Sequence, residues 1–172
     1  MSTTFEISIP KWYQDYINEI GERDYMDLMK ENYEKSIELF LSIPEEKWNF
    51  AYAPGKWTIK ELVIHMMDAE RVFAYRALRF SRNDKTELPG FEENEYVPFY
   101  NAKHKSEVAI IEEYKAVRNA TIAMFSNFDN DMLKRTGTAN KNEFSVEMIG
   151  AIIVGHELHH LDVLKDRYLF SS

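Results

Sequence analysis

Four stretches of the 172-residue chain repeat apolar side chains every three or four positions, and all five prolines lie outside them. That period admits helices and little else. The first stretch covers roughly residues 22 to 43, with Tyr25, Leu28, Met29, Tyr33, Ile37, Phe40 and Leu41 at helical spacing, and an amphipathic piece near 10 to 18 precedes it. "SIPEEKWNFAYAPGKW" ends it with Pro44, Pro54 and Gly55. Thr58-Ile59-Lys60-Glu61 is a capping box, in which hydroxyl and carboxylate satisfy backbone donors left unpaired at a helix start. The second helix is therefore predicted from about Ile59 to about Arg82. The interval 83 to 104 carries Pro89 and Pro98 and reads as a long crossover loop. A third helix, about 105 to 127, shows Val108, Ile111, Tyr114, Lys115, Arg118, Ile122 and Phe125. After the turn region "NFDNDMLKRTGTANKNE", Ser145 caps a fourth over about 146 to 169. No segment reads as a strand, and neither internal repeats nor low-complexity tracts occur. The expectation is an all-α four-helix bundle, one domain over 1–172, with its long connection between the second and third long helices.

Composition bounds the function. A hydrophobic fraction of 45% supports a packed core without staples. Without cysteine there is no disulfide framework, thiolate zinc site or cysteine nucleophile, so thiol chemistry needs a thiol brought by a cosubstrate. The formal charge of −8, with no long run of Lys or Arg, argues against nucleic acid as a partner. No signal-peptide core and no run of about 18 apolar residues is visible, so a cytoplasmic protein without a membrane partner is expected.

"VGHELHHLD", residues 154 to 162, holds three of the five histidines. His156-Glu157-Leu158-His159-His160 satisfies the H-E-x-x-H pattern of zinc proteases. At about 100° per residue with His156 as zero, Ile149 falls near 20°, His160 near 40° and Ile153 near 60°, so His156 and His160 share the inward apolar stripe. His159 falls near −60°, at its edge, and is the weaker ligand candidate. Such proteases take a third ligand downstream, but "LDVLKDRYLFSS" has neither His nor Glu, and Asp162 and Asp166 fall away from the stripe. Upstream, His65 shares a face with Ala69, Phe73, Arg76 and Phe80. Alone on an apolar stripe it would be a hydrogen-bonded core residue; with His156 and His160 it completes three neutral nitrogen ligands suited to Zn, Ni, Fe or Co. His104, between Lys103 and Lys105, is expected at the surface.

"PGKWTIKELVIHMMDAERVFAYRALRFSRNDKTELPGF" and "SVEMIGAIIVGHELHHLDVLKDRY" resemble the DinB-like, YfiT-like group, over about residue 25 to the C-terminus. The resemblance implies an up-down-down-up four-helix bundle whose divalent metal is held by one His of the second helix and an H-x-x-x-H pair of the last, here His65, His156 and His160. It also implies a metal-dependent enzyme acting on a small molecule. Thiol-dependent relatives, such as mycothiol-dependent maleylpyruvate isomerase and bacillithiol-type S-transferases, stand beside proteins described as hydrolases. The metal (Zn, Ni or Fe) would act as a Lewis acid on water or on a low-molecular-weight thiol cosubstrate.

Further candidates carry plain alternatives. Glu157 follows a ligand and is a candidate general base, although its position near 100°, off the stripe, suits a surface or ion-pair role better. Asp68 is placed to orient an imidazole or to stand in solvent. Arg76 projects along the His65 face, where burial demands an anion, either a substrate carboxylate or an internal acid. Phe91, Tyr96 and Phe99 in the crossover are candidates for covering the bundle mouth. Val154, Leu158 and Leu161 form a second apolar face on the last helix, calling for the N-terminal helix or a symmetric partner, with a homodimer favoured. A non-catalytic metal-binding stress-response bundle, and a metal-free bundle with hydrogen-bonded core histidines, are the competing readings.

Overall fold

The computed structural model describes residues 5 and 7–169. In chain order it contains α1 (Gln14–Ile20), α2 (Tyr25–Ser42), α3 (Ile59–Ser81), α4 (Glu93–Tyr96), α5 (Glu107–Ser126), α6 (Asn130–Lys134), β1 (Thr136–Ala139), β2 (Asn142–Ser145) and α7 (Val146–Val163). Each long helix opens on a side-chain oxygen that accepts backbone N–H groups: Asp24 for α2, Thr58 for α3, Ser106 for α5 and Ser145 for α7. The Thr58–Glu61 capping box is present as expected. After α7 the chain widens into a π-helical segment, Leu164–Leu169, in place of the α-helix expected to about 169.

The pairings fix the helix directions. Between α2 and α5, Tyr25 meets Phe125, Tyr33 accepts from Asn119, and Phe40 meets Tyr114, so the numbers run oppositely and the helices are antiparallel. Between α3 and α5, Lys60 reaches the Lys105 carbonyl and Glu70 meets Arg118, which makes this pair parallel. Between α3 and α7, the Tyr168 hydroxyl donates to the Trp57 carbonyl beyond one end, His65 meets His156 further along, and Phe80 and Val146 belong to one core cluster at the other end. That pair is antiparallel. Helices α2 and α7 run together, with Tyr25 beside Gly150 and Ser36 bonded to Glu157. The result is an up-down-down-up bundle. Because α3 and α5 are parallel, the chain must return the full length of α3, about 34 Å for its helical rise, which is why a long crossover is needed. No helix among the described residues is long and apolar enough to cross a membrane.

Where the sequence shows no strand signal, the structure has a small hairpin. β1 and β2 pair antiparallel, joined by Asn140 and Lys141 at φ 46° and 63°. Positive φ at both turn residues is the mirror-image turn that matches strand twist. Leu88 of the crossover adds a third rung, donating to Thr138 O at 2.9 Å and accepting from Asn140 N at 2.9 Å. The hairpin thus pins the crossover to the bundle.

Helix α7 is enclosed on nearly every side. Val154 and Leu158 pack in one cluster with Tyr16 and Ile17. Leu161, the third residue of that face, packs in the other core cluster with Phe40 and Leu62, so the face is covered from within the chain, by α1 at Val154 and Leu158, and nothing about a second copy follows from it. The approach is close: a Cβ on Gly155 would lie 1.9 Å from the Tyr16 carbonyl oxygen. Inside the bundle, Arg118 sends Nε and Nη2 to Glu70, the latter at 2.8 Å, and Nη1 to Glu157 at 2.6 Å. Glu157 also accepts from the Ser36 and Tyr114 hydroxyls. This network ties α5 to α3, α7 and α2.

Two stability outcomes follow. Gly155→Ala forces α1 off α7 or strains it, an overpacking cost of about 1–3 kcal/mol in urea melts. Arg118→Met strands two buried carboxylates and is expected to cost about 3–5 kcal/mol, more than Gly155→Ala in the same assay.

Candidate metal centre

The antiparallel packing of α3 and α7 sets His65 against His156 and His160, which sit one turn apart on one face of α7. His65 Nε2 lies 3.1 Å from His156 Nε2, and His160 Nε2 lies 3.0 Å from the same atom. One nitrogen from each of the three rings lies within 4.8 Å of the other two. His65 and His156 are buried, and His160 is partly so.

Hydrogen bonding alone does not account for this convergence. An imidazole nitrogen carries either one proton or one in-plane lone pair, so His156 Nε2 cannot serve as a full partner to both neighbours. Nor do the outer nitrogens compensate, because Nδ1 of His65 and of His160 bond no protein atom. A shared cation fits instead. Ring nitrogens about 2.0–2.1 Å from one ion at tetrahedral to octahedral angles stand roughly 2.9–3.4 Å apart, and they present three lone pairs to one point. Burial holds His65 down to about 4 and His160 to about 3 from the ordinary 6.5, and holds His156 well below it, its neighbouring imidazoles adding to the effect. All three are thus neutral near pH 7, the form that binds metal.

Beside the imidazoles opens a cavity of about 450 Å³. His65, Ala69, Phe73 and Arg76 form one wall as a single stripe of α3, with Ala69 small enough to leave space between the larger side chains. Tyr13 and Tyr16 from the N-terminal segment face it, with Trp12 at its exposed edge and Trp57 beside His65. The Tyr16 ring stands edge-on to His156, centroids 5.3 Å apart. Burial raises both tyrosine hydroxyls above the usual 10, which keeps them protonated and able to donate. These aromatic residues were not singled out in the sequence; the available signal was "KWYQDY", with Tyr13 and Tyr16 three apart on the amphipathic piece.

The remaining candidates divide. Arg76 reaches the cavity. Glu157 does not line it, because its carboxylate is held by Arg118, Tyr114 and Ser36 on a different side of α7. Asp68 pairs with Arg71 at 3.3 Å rather than orienting His65. His159 meets Tyr16 and His160 ring to ring but is outside the converging set. His104 is exposed, as expected. Of the crossover aromatics, Phe91 lines the cavity, whereas Tyr96 and Phe99 are exposed, Phe99 at 86%.

Comparison with known proteins places the chain. No curated protein matches its sequence. Among solved structures it is similar to YfiT from Bacillus subtilis, described as a probable metal-dependent hydrolase with an unusual four-helix bundle topology. The TM-score is 0.66 at 16% identity, over 99% of this chain and 95% of that one, a likeness of fold. The DinB superfamily matches residues 28–164, spanning α2 to the start of the π-helical segment and taking in all three converging histidines. The chain belongs to the DinB superfamily.

Proposed function

We propose that the protein is a metal-dependent enzyme, a hydrolase or a thiol S-transferase, in which His65, His156 and His160 hold one divalent cation, Zn, Ni or Fe. The observation that carries this reading is the convergence of three neutral Nε2 atoms beside an open cavity. The printed description of YfiT supports the hydrolase arm. The cysteine-free chain means that the transferase arm uses a low-molecular-weight thiol as cosubstrate.

A cation bound there supplies Lewis acidity, which lowers the pKa of water or a thiol so that an anionic nucleophile exists near neutral pH. The protein's own groups do the rest. Burial keeps the imidazoles unprotonated, and the protonated Tyr13 and Tyr16 hydroxyls can donate to a substrate oxygen or leaving group. Trp57, Phe73 and Phe91 line the same space with apolar surface that excludes water. With Glu157 held by Arg118, proton transfer falls to the tyrosines or to the nucleophile itself.

Elemental analysis of untagged protein is expected to give about one divalent ion per chain, and His156→Ala, shown to be folded by circular dichroism, to retain none. A wild-type protein that takes up no ion under any loading condition would falsify the reading. Turnover of model electrophiles by the loaded protein separates the arms, since a rate that requires added thiol assigns the transferase and a thiol-independent rate the hydrolase.

Metal-free protein should also show a pH signature. The imidazoles' folded-state pKa values are depressed, so their contribution is fully present above the unfolded value of 6.5 and is lost as pH falls toward about 4 and 3. Urea melts of the stripped protein are expected to weaken over that window, by up to about 1.4 kcal/mol per pH unit for each such group.

A further inference from the structure

Two arginines have almost no exposed surface, Arg118 at 1% in the packed interior and Arg76 at 2% against the cavity. Arg118 meets two carboxylates, Glu70 and Glu157. Arg76 meets none among the described residues. Its Nη2 donates to the Pro89 carbonyl at 3.0 Å, the Tyr13 hydroxyl is its other polar neighbour, and its Cζ lies 5.2 Å from the Phe73 ring centroid. All three are neutral, so they satisfy some of the five N–H groups and leave the charge itself uncompensated. A guanidinium removed from water without a counter-charge is strongly disfavoured unless an anion completes it.

That anion is not supplied by the cavity wall. Glu92 accepts from the Asn94 backbone N–H at the start of its own helical turn. Glu93 acts electrostatically on Tyr13 and Tyr16 but is not paired with Arg76. Both acids instead give this cavity negative charge. With a divalent cation on the imidazoles and Arg76 set against these two acids, the formal balance of the cavity is one positive charge, which a singly charged ligand neutralises and a phosphate dianion exceeds. Geometry supplies the spacing. His65 and Arg76 are eleven residues apart on the stripe that also carries Ala69 and Phe73. Their Cα atoms are thus about 16 Å apart along the axis; the guanidinium folds back over Phe73 one turn earlier, and the His65 ring leans the same way, so the functional groups stand roughly 10–16 Å apart.

We propose that Arg76 is the binding residue for a carboxylate on the substrate, which spans the cavity from the three imidazoles, over Ala69 and Phe73, to the guanidinium. This rests on the metal-centre reading and names the substrate class of that site, a small monocarboxylate with an apolar middle and its reacting group at the other end. A carboxylate accepts two parallel N–H bonds from a guanidinium and neutralises it in the same contact.

The test uses metal-loaded full-length protein and monohydroxamates of the linear dicarboxylic acids from succinic to suberic, each beside its ω-amide, with acetohydroxamate as the tail-less control. Hydroxamates ligate divalent ions, so the control reports the metal and the acid–amide gap reports Arg76. At one chain length the acid is expected to bind about 10- to 100-fold tighter than the amide, the range of a hydrogen bond to a charged group. Arg76→Gln should close that gap without changing acetohydroxamate affinity. Acid and amide binding alike at every length in the wild type overturns the proposal, a comparison that needs no variant to fold. A gap that persists in folded Arg76→Gln overturns it as well. Failure of acetohydroxamate to bind, together with no ion found by elemental analysis, overturns instead the reading on which the proposal rests, and the proposal with it.

Discussion

The guanidinium of Arg118, clamped between Glu70 on α3 and Glu157 on α7, sets the register of the bundle. It lies in the middle of α5 and reaches the two helices that carry the histidines. A buried ion pair adds little net stability over a well-packed apolar alternative, but parting it is costly, so a packing that separated Arg118 from either acid is disfavoured. Glu157 is the neighbour of His156. On a helix, pinning one residue fixes the direction of the next, about 100° around the axis. With Glu157 turned to Arg118, His156 and His160 turn to His65.

Everything around the imidazoles follows from that orientation. The faces of α7 away from the clamp receive α3 on one side and α1 on another, and Gly155 lets the Tyr16 backbone come close enough for the tyrosine ring to stand against His156. Helix α1 belongs both to the packing layer and to the wall of the cavity. The crossover contributes from the other direction, pinned by Leu88 to the hairpin and delivering Pro89 and Phe91 to the same space. The two arginines divide accordingly: one charge is closed off by carboxylates inside the bundle, and the other lines the cavity beside the imidazoles without a carboxylate partner among the described residues.

Much of the architecture was legible because helices advertise themselves locally. The apolar periods, the caps at Thr58 and Ser145 and the distribution of proline marked the four long helices to within a few residues, and the i, i+4 spacing placed His156 and His160 on one face. The hairpin stayed hidden: its strands are four residues each, and its turn is Asn-Lys rather than the Asn-Gly that usually signals positive φ at both positions. Burial of Glu157 was hidden too, since its partners come from residues distant in sequence, Ser36, Tyr114 and Arg118.

By itself, then, the chain's local chemistry determined that four helices form, where they begin and which side chains each turns inward, because caps and periodicity act within a few residues. Only tertiary structure decided which inward faces meet. The antiparallel seating of α3 on α7 made three scattered histidines one site, and the return of α1 along Gly155 decided that the last helix's second apolar face is covered from within the chain. Whether Arg76 meets an acid was settled in the same way, since the pairing of a buried charge depends on which distant residues the packed helices bring to it.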